Sequence, residues 1–246
     1  MVQTGQTIGE RVAAVRETIA AACQRAGRSP DAVTLVAVSK TQPPARVLEA
    51  AAAGVRHFGE NRVEEALGKI AQVNAGLAEP VTWHMVGHVQ SRKARYVVRD
   101  FALLHSLDSV RLAGRLGRAL AEAGRTLDVL LEMNVSGEAS KEGWDAWRWQ
   151  EDRARRRALW DDVGALLALP GLRVRGLMTM APIVDDMERA RPVFAVLRAL
   201  RDALAADFPG AQWDALSMGM TDDYPVAVEE GATLVRIGRA IFGPRR

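Results

Sequence analysis

The chain has 246 residues, of which 48% are hydrophobic, and its 33 basic and 30 acidic side chains leave a formal net charge of +3. This length suffices for one large core and is typical of a single α/β barrel, so we expect one domain over residues 1–246. The arginines are scattered along helix-like segments and form no basic stripe interleaved with aromatic residues, which argues against nucleic acid as a partner.

Cysteine content and hydropathy indicate the compartment. The single cysteine, Cys23, cannot form an internal disulfide, and the chain starts without a secretory signal. No apolar run approaches the ~18 residues that a membrane span needs. We therefore expect a cytoplasmic protein that does not enter a membrane.

Strand-like and helix-like patterns alternate along the chain after an amphipathic first helix that begins near Arg11 and ends near Gly27. The eight strand-like runs cover residues 33–39, 55–59, 82–87, 103–107, 128–135, 174–180, 213–217 and 234–238. Helix-like stretches cover residues 44–53, 62–72, 91–98, 109–123, 161–169 and 187–205. Because connecting helices imply parallel neighbouring strands and eight β/α units close a barrel, the sequence predicts an α/β fold, a single (β/α)8 TIM-type barrel preceded by an N-terminal helix.

An open, doubly wound sheet is the competing architecture. Such a sheet usually carries Gly-x-Gly-x-x-Gly after its first strand to bind a nucleotide. The first strand here ends instead in Ser-Lys-Thr-Gln-Pro at residues 39–43. The open sheet is disfavoured on this ground, although it is not excluded.

Polar residues and glycines follow the predicted strands, where a barrel brings all strand ends to one mouth. They are Lys40, Asn61, His88, Asp108, Asn134, Thr179, Ser217 and Gly238. Each one alone could be an ordinary cap. Together they predict a functional site at the carboxyl ends of the strands.

The last two loops are the predicted phosphate site. The loop Ser217-Met218-Gly219-Met220-Thr221 offers two hydroxyls and a glycine, and Gly238-Arg239 starts a glycine-containing turn through which backbone amides can approach an anion. The alternative is that these glycines only permit tight turns.

Arg236 interrupts the final apolar run, so its guanidinium must either face the mouth or meet a buried partner. Facing the mouth, it could meet a heteroaromatic nitrogen. Together with Lys40 and the phosphate loop, it describes a site for pyridoxal 5′-phosphate, in which the lysine amine forms a Schiff base with the aldehyde. A Schiff-base aldolase with a phosphorylated substrate has similar requirements and stays open. A zinc site is not expected, because His84 and His88 lie in a strand pattern and not on one helix face.

A segment rich in tryptophan and arginine covers residues 143–160. Its four tryptophans are typical of a barrel edge against which arginines stack. An interaction surface, or a lid over the mouth, is the alternative.

These motifs resemble those of the pyridoxal phosphate homeostasis proteins, single-domain relatives of the amino-terminal barrel of alanine racemase. The matching motifs are Ala-Val-Ser-Lys-Thr (37–41), Phe-Gly-Glu-Asn (58–61), Trp-His-Met-Val-Gly-His-Val-Gln (83–90), Asn-Val-Ser-Gly-Glu (134–138), Ser-Lys-Glu-Gly (140–143), Gly-Leu-Met-Thr-Met (176–180), Leu-Ser-Met-Gly-Met-Thr (216–221) with Asp223, and Arg-Ile-Gly (236–238). The chain departs from the family at Arg92, where asparagine is usual, and in the length of the segment 143–160.

The resemblance implies a cofactor and a role for each site residue. Pyridoxal 5′-phosphate is the implied cofactor, and Lys40 is the implied Schiff-base lysine. The other cofactor-binding residues are Asn61 near the ring, Arg236 at the pyridine nitrogen, and Ser217, Met218, Gly219, Thr221, Gly238 and Arg239 around the phosphate. Lys141 is a second lysine near the mouth that could receive the aldehyde during transfer.

The expected function is that of a monomeric carrier and not of an enzyme. An arginine at the pyridine nitrogen disfavours protonation of the ring and makes the cofactor a poorer electron sink. Racemisation also needs a second acid/base, which two-domain racemases take from a separate domain. We expect this chain to buffer pyridoxal 5′-phosphate or to deliver it to apo enzymes that use it; the alternative is a weak racemase or lyase that acts on amino acids.

Overall fold

The computed structural model describes residues 5–138 and 141–244. The chain begins with helix α1 (Ile8–Arg25), which starts at a capping box. The amide of Glu10 donates to the hydroxyl of Thr7, and the carboxylate of Glu10 accepts from the amide of Thr7. The predicted amphipathic first helix is thereby confirmed, since its apolar face is buried.

Nine strands run through the described residues. They are β1 (Thr34–Val38), β2 (His57–Glu60), β3 (Thr82–Met85), β4 (Leu103–Leu107), β5 (Leu127–Asn134), β6 (Trp144–Asp145), β7 (Leu172–Met178), β8 (Ala215–Ser217) and β9 (Leu234–Ile237). All pairings between them are parallel. Because β1 pairs with both β2 and β9 and β4 pairs with β5, eight strands close into a barrel, and β6 is a short addition beside the end of β5. The barrel prediction is confirmed, and the open sheet is excluded.

The helices connect the strands. Besides α1 they are α2 (Pro44–Ala52), α3 (Val63–Ala75), α4 (Ala94–Asp100), α5 (Val110–Ala123), α6 (Arg153–Leu167), α7 (Arg191–Asp207), α8 (Tyr224–Glu229) and α9 (Arg239–Phe242). Helix α6 starts well before the predicted residue 161. The carboxylate of Asp152 accepts hydrogen bonds from the amides of Ala154 and Arg155, and this cap fixes the start within an arginine-rich stretch that carries little hydrophobic pattern.

Two apolar clusters form the core. The larger one holds the helices against the outer faces of the strands. A smaller one inside the barrel contains Val36, Leu130, Met178, Ala215 and Leu234. Because side chains alternate along a strand, residues two positions further along β8 and β9 also point inwards.

The segment 143–160 packs against the barrel edge. The indole of Trp144 donates to the carbonyl of Leu107 at 2.9 Å. Trp149 and Trp160 stack with ring centroids 5.8 Å apart, and the Arg156 guanidinium lies over both rings. The predicted stacking of arginine on tryptophan at the barrel edge is therefore confirmed. Within residues 5–138 and 141–244, no helix has the length and hydrophobicity to cross a bilayer.

Candidate functional site

Lys40 lies in a turn at the carboxyl end of β1, two residues beyond the strand. Val36 belongs to the cluster inside the barrel, and the alternation of the strand places half-buried Lys40 on the same side. The next residue, Thr41, has a left-handed backbone with φ of 63°, which β-branched residues rarely adopt. Strained backbone conformations of this kind are found more often at functional sites, where the surrounding structure holds them in place.

A buried ion pair holds the turn before Lys40. The ammonium of Lys69, on α3, donates to the carbonyl of Ser39 at 2.7 Å and to Oε1 of Glu60 at 2.8 Å. The Ser39 hydroxyl donates to the same carboxylate oxygen at 2.6 Å. The Lys69 and Glu60 side chains are 6% and 0% exposed, so β1, β2 and α3 meet in one desolvated network behind the lysine.

The network continues on the other side of Lys40. The carboxylate of Glu65 accepts from the amide of Thr41 and, at 3.1 Å, from Lys69. Burial raises the pKa of Glu60, and the hydrogen bonds from Lys69 and Ser39 oppose this rise. The buried Oε2 of Glu60 has no hydrogen-bond partner within the described part of the chain. The turn is thus held before Lys40 by Lys69 and after Lys40 by Glu65, and these two side chains are paired with each other.

Ser217 and Arg236 meet inside the barrel at the ends of β8 and β9. Nη1 of Arg236 donates to the carbonyl of Ser217 at 2.8 Å and to its hydroxyl at 2.6 Å, and Nη2 donates to the carbonyl of Thr179 at 2.9 Å. Burial lowers the pKa of Arg236 to about 10, with the charges of Glu132 and Asp223 opposing, so it stays protonated at neutral pH. Of the two alternatives that the sequence left open for Arg236, the structure therefore shows buried partners, Ser217 and Thr179, at the mouth end of the barrel.

The loop after β8 turns sharply at Gly219, whose φ is +93°. The carbonyl of Gly219 accepts from the amide of Arg236 at 3.0 Å, and the amide of Met220 donates to the carboxylate of Asp223 at 2.6 Å. Thr221 is half-buried in this loop. Met218 is buried in the core between strands and helices, so its side chain points away from the barrel interior, and its amide donates to the carbonyl of Leu234 at 3.2 Å.

Gly238 is the N-cap of α9, where the amides of Ile241 and Phe242 both donate to its carbonyl. The first amides of a helix lack partners within that helix and are available to an anion. A Cβ at Gly238 would lie 3.7 Å from the Cβ of Val38, so this turn adjoins the strand that leads to Lys40. The Arg239 side chain is exposed and pairs with the carboxylate of Asp222.

Asn61 follows β2 and is half-buried. A Cβ at Gly87, in the loop after β3, would lie 2.5 Å from the amide oxygen of Asn61. Glycine at position 87 therefore lets the two loops approach closely, and it keeps Asn61 at the mouth. The structure brings Lys40, Asn61, Ser217, Arg236 and the turn at Gly238 to the carboxyl end of one barrel, as the strand-end argument requires.

Three histidines form a hydrogen-bonded series that the sequence analysis missed, and we call it the histidine chain (His57, His84 and His105). Nδ1 of His57 lies 2.9 Å from Nε2 of His84, and Nδ1 of His84 lies 2.8 Å from Nε2 of His105. Nδ1 of His105 lies 2.8 Å from the hydroxyl of Ser217. Burial lowers the pKa of His84 to about 3 and holds that of His105 well below its usual value, so both rings are neutral.

A second polar group lies at the mouth near β4 and β5. Nδ1 of His88 is 2.9 Å from the carboxylate of Asp108, and one ligand atom each of His88, Asp108 and Glu142 lies within 4.8 Å of the others. Burial raises the pKa of nearby Glu132 to about 7, and Arg236 opposes the rise. Residues of different loops form this group, which is why their spacing in the sequence gives no signal for it.

Lys141, the second lysine of the motifs, also lies at the mouth. Its ammonium donates to the carbonyl of Met180 at 2.8 Å and pairs with Glu138. Asn134 shapes the preceding loop, because its amide group bonds the carbonyl of Glu138 and the amide of Gly137. The neighbouring motif residue at position 140 lies outside the described residues.

The chain contains two tyrosines, and the structure directs both away from the mouth. Tyr224, on α8, is buried in the larger apolar cluster outside the barrel, and burial raises its pKa. Tyr96 lies on α4, where Arg95 donates to its hydroxyl at 2.7 Å. Neither position suits an acid/base facing Lys40.

Comparisons with known proteins identify the family of this chain. The alanine racemase N-terminal domain family matches residues 11–246. Two curated relatives are named pyridoxal phosphate homeostasis protein: that of Pseudomonas aeruginosa PAO1 is 45% identical over 97% of this chain and 96% of its own, and that of Escherichia coli K12 is 38% identical over 97% of each.

Solved structures extend the comparison to three dimensions. PipY of Synechococcus elongatus PCC7942 is 38% identical, and the match covers 96% of this chain and 100% of PipY. Its TM-score is 0.83 for the structure without pyridoxal 5′-phosphate (PLP) and 0.78 for the structure with PLP bound. Alanine racemase of Clostridium difficile 630 shares the fold alone, with 13% identity and a TM-score of 0.67 over 94% of this chain and 59% of the racemase.

Proposed function

Because the chain belongs to the pyridoxal phosphate homeostasis protein family, with the alanine racemase N-terminal fold, we propose that it binds pyridoxal 5′-phosphate (PLP) at the barrel mouth and buffers or delivers it without a turnover reaction of its own. The observation that carries the proposal is the convergence of Lys40, Ser217 and Arg236 at one end of the barrel. When bound, PLP supplies an aldehyde that condenses reversibly with a primary amine. Lys40 is the amine that we assign to this bond.

The donors at the mouth fit the other two ends of the cofactor. Hydroxyls and first-turn amides at Ser217, Thr221 and Gly238 suit a phosphate, which accepts several hydrogen bonds. Arg236 supplies a cation held in place by Ser217 and Thr179, and we assign it to the pyridine nitrogen. Asn61 is assigned to the neighbourhood of the ring.

The arrangement favours holding the cofactor over catalysis with it. A guanidinium opposite the ring nitrogen disfavours a proton there, which makes the ring a weaker electron sink. Racemisation needs a second acid/base on the opposite face, and Tyr224 and Tyr96 are directed elsewhere. Lys69 and Glu60 position the Lys40 turn from behind and leave the mouth side to the ligand.

The proposed acceptors are apo forms of enzymes that use PLP. In the described part of the chain a barrel surrounds the site, and we expect one face of the ring to meet water, which permits hydrolysis of the bond to Lys40 and exchange with an acceptor. We propose that the carrier works as a cytoplasmic monomer. Lys141, held at the mouth by the carbonyl of Met180, is positioned to receive the aldehyde on its way out.

A transfer experiment tests the proposal. Protein loaded with PLP and freed of unbound cofactor is incubated with the apo form of an unrelated PLP enzyme, and recovery of that enzyme's activity is followed. We expect recovery, and we expect no racemisation of amino acids by the loaded protein alone. Retention of PLP with no recovery in several acceptors, or robust racemisation, would contradict the carrier and support the alternative of a weak racemase or lyase.

A further inference from the structure

The histidine chain links the two ends of the barrel. Ser217 is the last residue of β8, at the mouth, whereas His57 is the first residue of β2, at the amino-terminal end. The half-buried ring of His57 lines a pocket of about 510 Å³ beneath α1, together with Arg16 and Arg56. A hydrogen-bonded path therefore runs from the proposed phosphate site to a second, solvent-accessible pocket.

Arg236 favours one direction for the hydrogen bonds in this path. A guanidinium only donates, and Arg236 donates to the hydroxyl of Ser217. The hydroxyl oxygen keeps a second lone pair, but among the described residues Nδ1 of His105 is its remaining hydrogen-bond partner, so the arrangement that satisfies the buried hydroxyl proton has it donating to Nδ1. A neutral imidazole carries one proton, so His105 carries it on Nε2 and donates to His84, and His84 in the same way donates to His57.

We propose that the histidine chain is a tautomeric switch that transmits occupancy of the phosphate site to the pocket at the other end of the barrel. The inference rests on the proposed function, because it requires a phosphate group at Ser217. A phosphate dianion only accepts hydrogen bonds, so the Ser217 hydroxyl turns to donate to it. His105 then keeps its bond to Ser217 only by donating from Nδ1, and the same reversal follows at His84 and His57.

The protons balance for a cofactor that arrives with a monoprotonated phosphate. The phosphate proton passes to the Ser217 oxygen, and the former hydroxyl proton passes to Nδ1 of His105. The Nε2 proton of His105 passes to Nδ1 of His84, and that of His84 passes to Nδ1 of His57. The Nε2 proton of His57 passes to water. Each histidine ends with one proton, now on Nδ1, and one proton has moved from the ligand to solvent.

The switch changes what the second pocket presents. Nε2 of His57 donates a hydrogen bond when the phosphate site is empty and accepts one when it is filled. Linkage makes the effect reciprocal: a molecule that accepts from His57 in that pocket favours the empty state and weakens cofactor binding, and one that donates to His57 strengthens it. The pocket is thus a site from which release of the cofactor can be triggered.

Nitrogen NMR of the histidine rings tests the switch directly. The chain has four histidines, so protein labelled with ¹⁵N at histidine gives a simple spectrum. We expect His84 and His105 to carry their proton on Nε2 in protein free of PLP and on Nδ1 after PLP is added. Pyridoxal, which lacks the phosphate, should leave them on Nε2. Bound PLP seen by absorption with the protons still on Nε2, or protons on Nδ1 in the ligand-free protein, overturns the switch.

Two variants make the test specific. Ser217→Ala removes the link, so saturating PLP should no longer move the proton of His105. His88→Gln assigns the histidine outside the chain and should leave the switch intact; loss of the switch in this variant would contradict the path. If the absorption spectrum shows no bound PLP, the proposed function is contradicted instead. The proton positions in the ligand-free protein then still test the proposed direction of the hydrogen bonds in the histidine chain.

Discussion

The ammonium of Lys69 lies 2.8 Å from Oε1 of Glu60, and both side chains are buried beneath the turn that carries Lys40. Because the same ammonium holds the carbonyl of Ser39, the pair fixes the backbone from which the proposed cofactor lysine extends. We therefore treat Lys69 as a positioning residue whose effect on the site is exerted through the turn.

Lys69→Met should destabilise the protein by about 3–5 kcal/mol, because it leaves the Glu60 carboxylate buried without its counter-charge. Denaturant unfolding measures the loss. The double variant Lys69→Met with Glu60→Leu removes both charges and should recover a large part of it. A Lys69→Met protein as stable as the parent would contradict the assigned role of the pair.

Ser217→Ala should weaken PLP binding with little change in the absorption spectrum. Loss of a charge-assisted hydrogen bond of about 1.5–3 kcal/mol corresponds to roughly a ten- to 150-fold higher dissociation constant. Equilibrium titration followed by absorption measures the change. Ser136→Ala, which removes a hydroxyl from another loop at the mouth, serves as the matched control and should bind PLP normally; equal losses in both variants would argue against a phosphate at Ser217.

Arg236→Glu should change the absorption spectrum of bound PLP, because a carboxylate favours a proton on the pyridine nitrogen where a guanidinium disfavours it. Arg236→Gln removes the charge without reversing it and should give a smaller change. Both variants also lose the hydrogen bonds to Ser217 and Thr179, so spectra are compared at saturating PLP. Identical spectra for parent and Arg236→Glu would place the arginine away from the ring.

Glu132→Gln should change how stability depends on pH. The pKa of Glu132 in the folded protein is about 7, above the usual 4.5, so the folded state holds a proton that the unfolded state has released. The contribution of Glu132 to the free energy of unfolding is therefore fully present below about pH 4.5 and is lost as the pH rises through 7. Well above pH 7 the total loss is about 3 kcal/mol.

Unfolding of parent and Glu132→Gln at pH 5 and pH 8 measures this difference. Between these values the parent should lose more stability than Glu132→Gln, which keeps the neutral form. A parent protein that gains stability relative to Glu132→Gln on going to pH 8 would show that the carboxylate is stabilised in its charged form.

The barrel was predictable because each barrel strand carries its own apolar run and most connections carry a helical pattern, although α8, between β8 and β9, was not among the predicted helices. All eight barrel strands lie at the predicted places, including β1 and β9, whose ends hold Lys40 and Arg236. Strand β6 escaped prediction because two residues show no alternation. The start of α6 escaped because arginines fill its first turns.

The candidate site was predictable only for residues that directly follow a strand in the sequence. Contacts between residues that are far apart in the sequence were not predictable. Ser217 lies 112 positions from His105, so nothing local in the sequence signals their hydrogen bond. The sequence also gives no signal for the contact of Lys69, because a lysine on an amphipathic helix normally reaches solvent. Only the closed barrel brings the carboxylate of Glu60 against it. Side-chain contacts between strands that are distant in the sequence depend on how the strands are aligned with one another, and this alignment is set only when the barrel closes.

The central claim is that Lys40 holds the cofactor, and borohydride trapping with peptide mapping tests it most directly. The protein is loaded with PLP, its absorption is recorded before and after reduction, and the labelled peptide is identified by mass. We expect the label on Lys40, its loss in a folded Lys40→Ala protein, and its retention in Lys141→Ala. Label on Lys69, Lys93 or Lys141 in the parent protein, or no label despite bound PLP, would contradict the account.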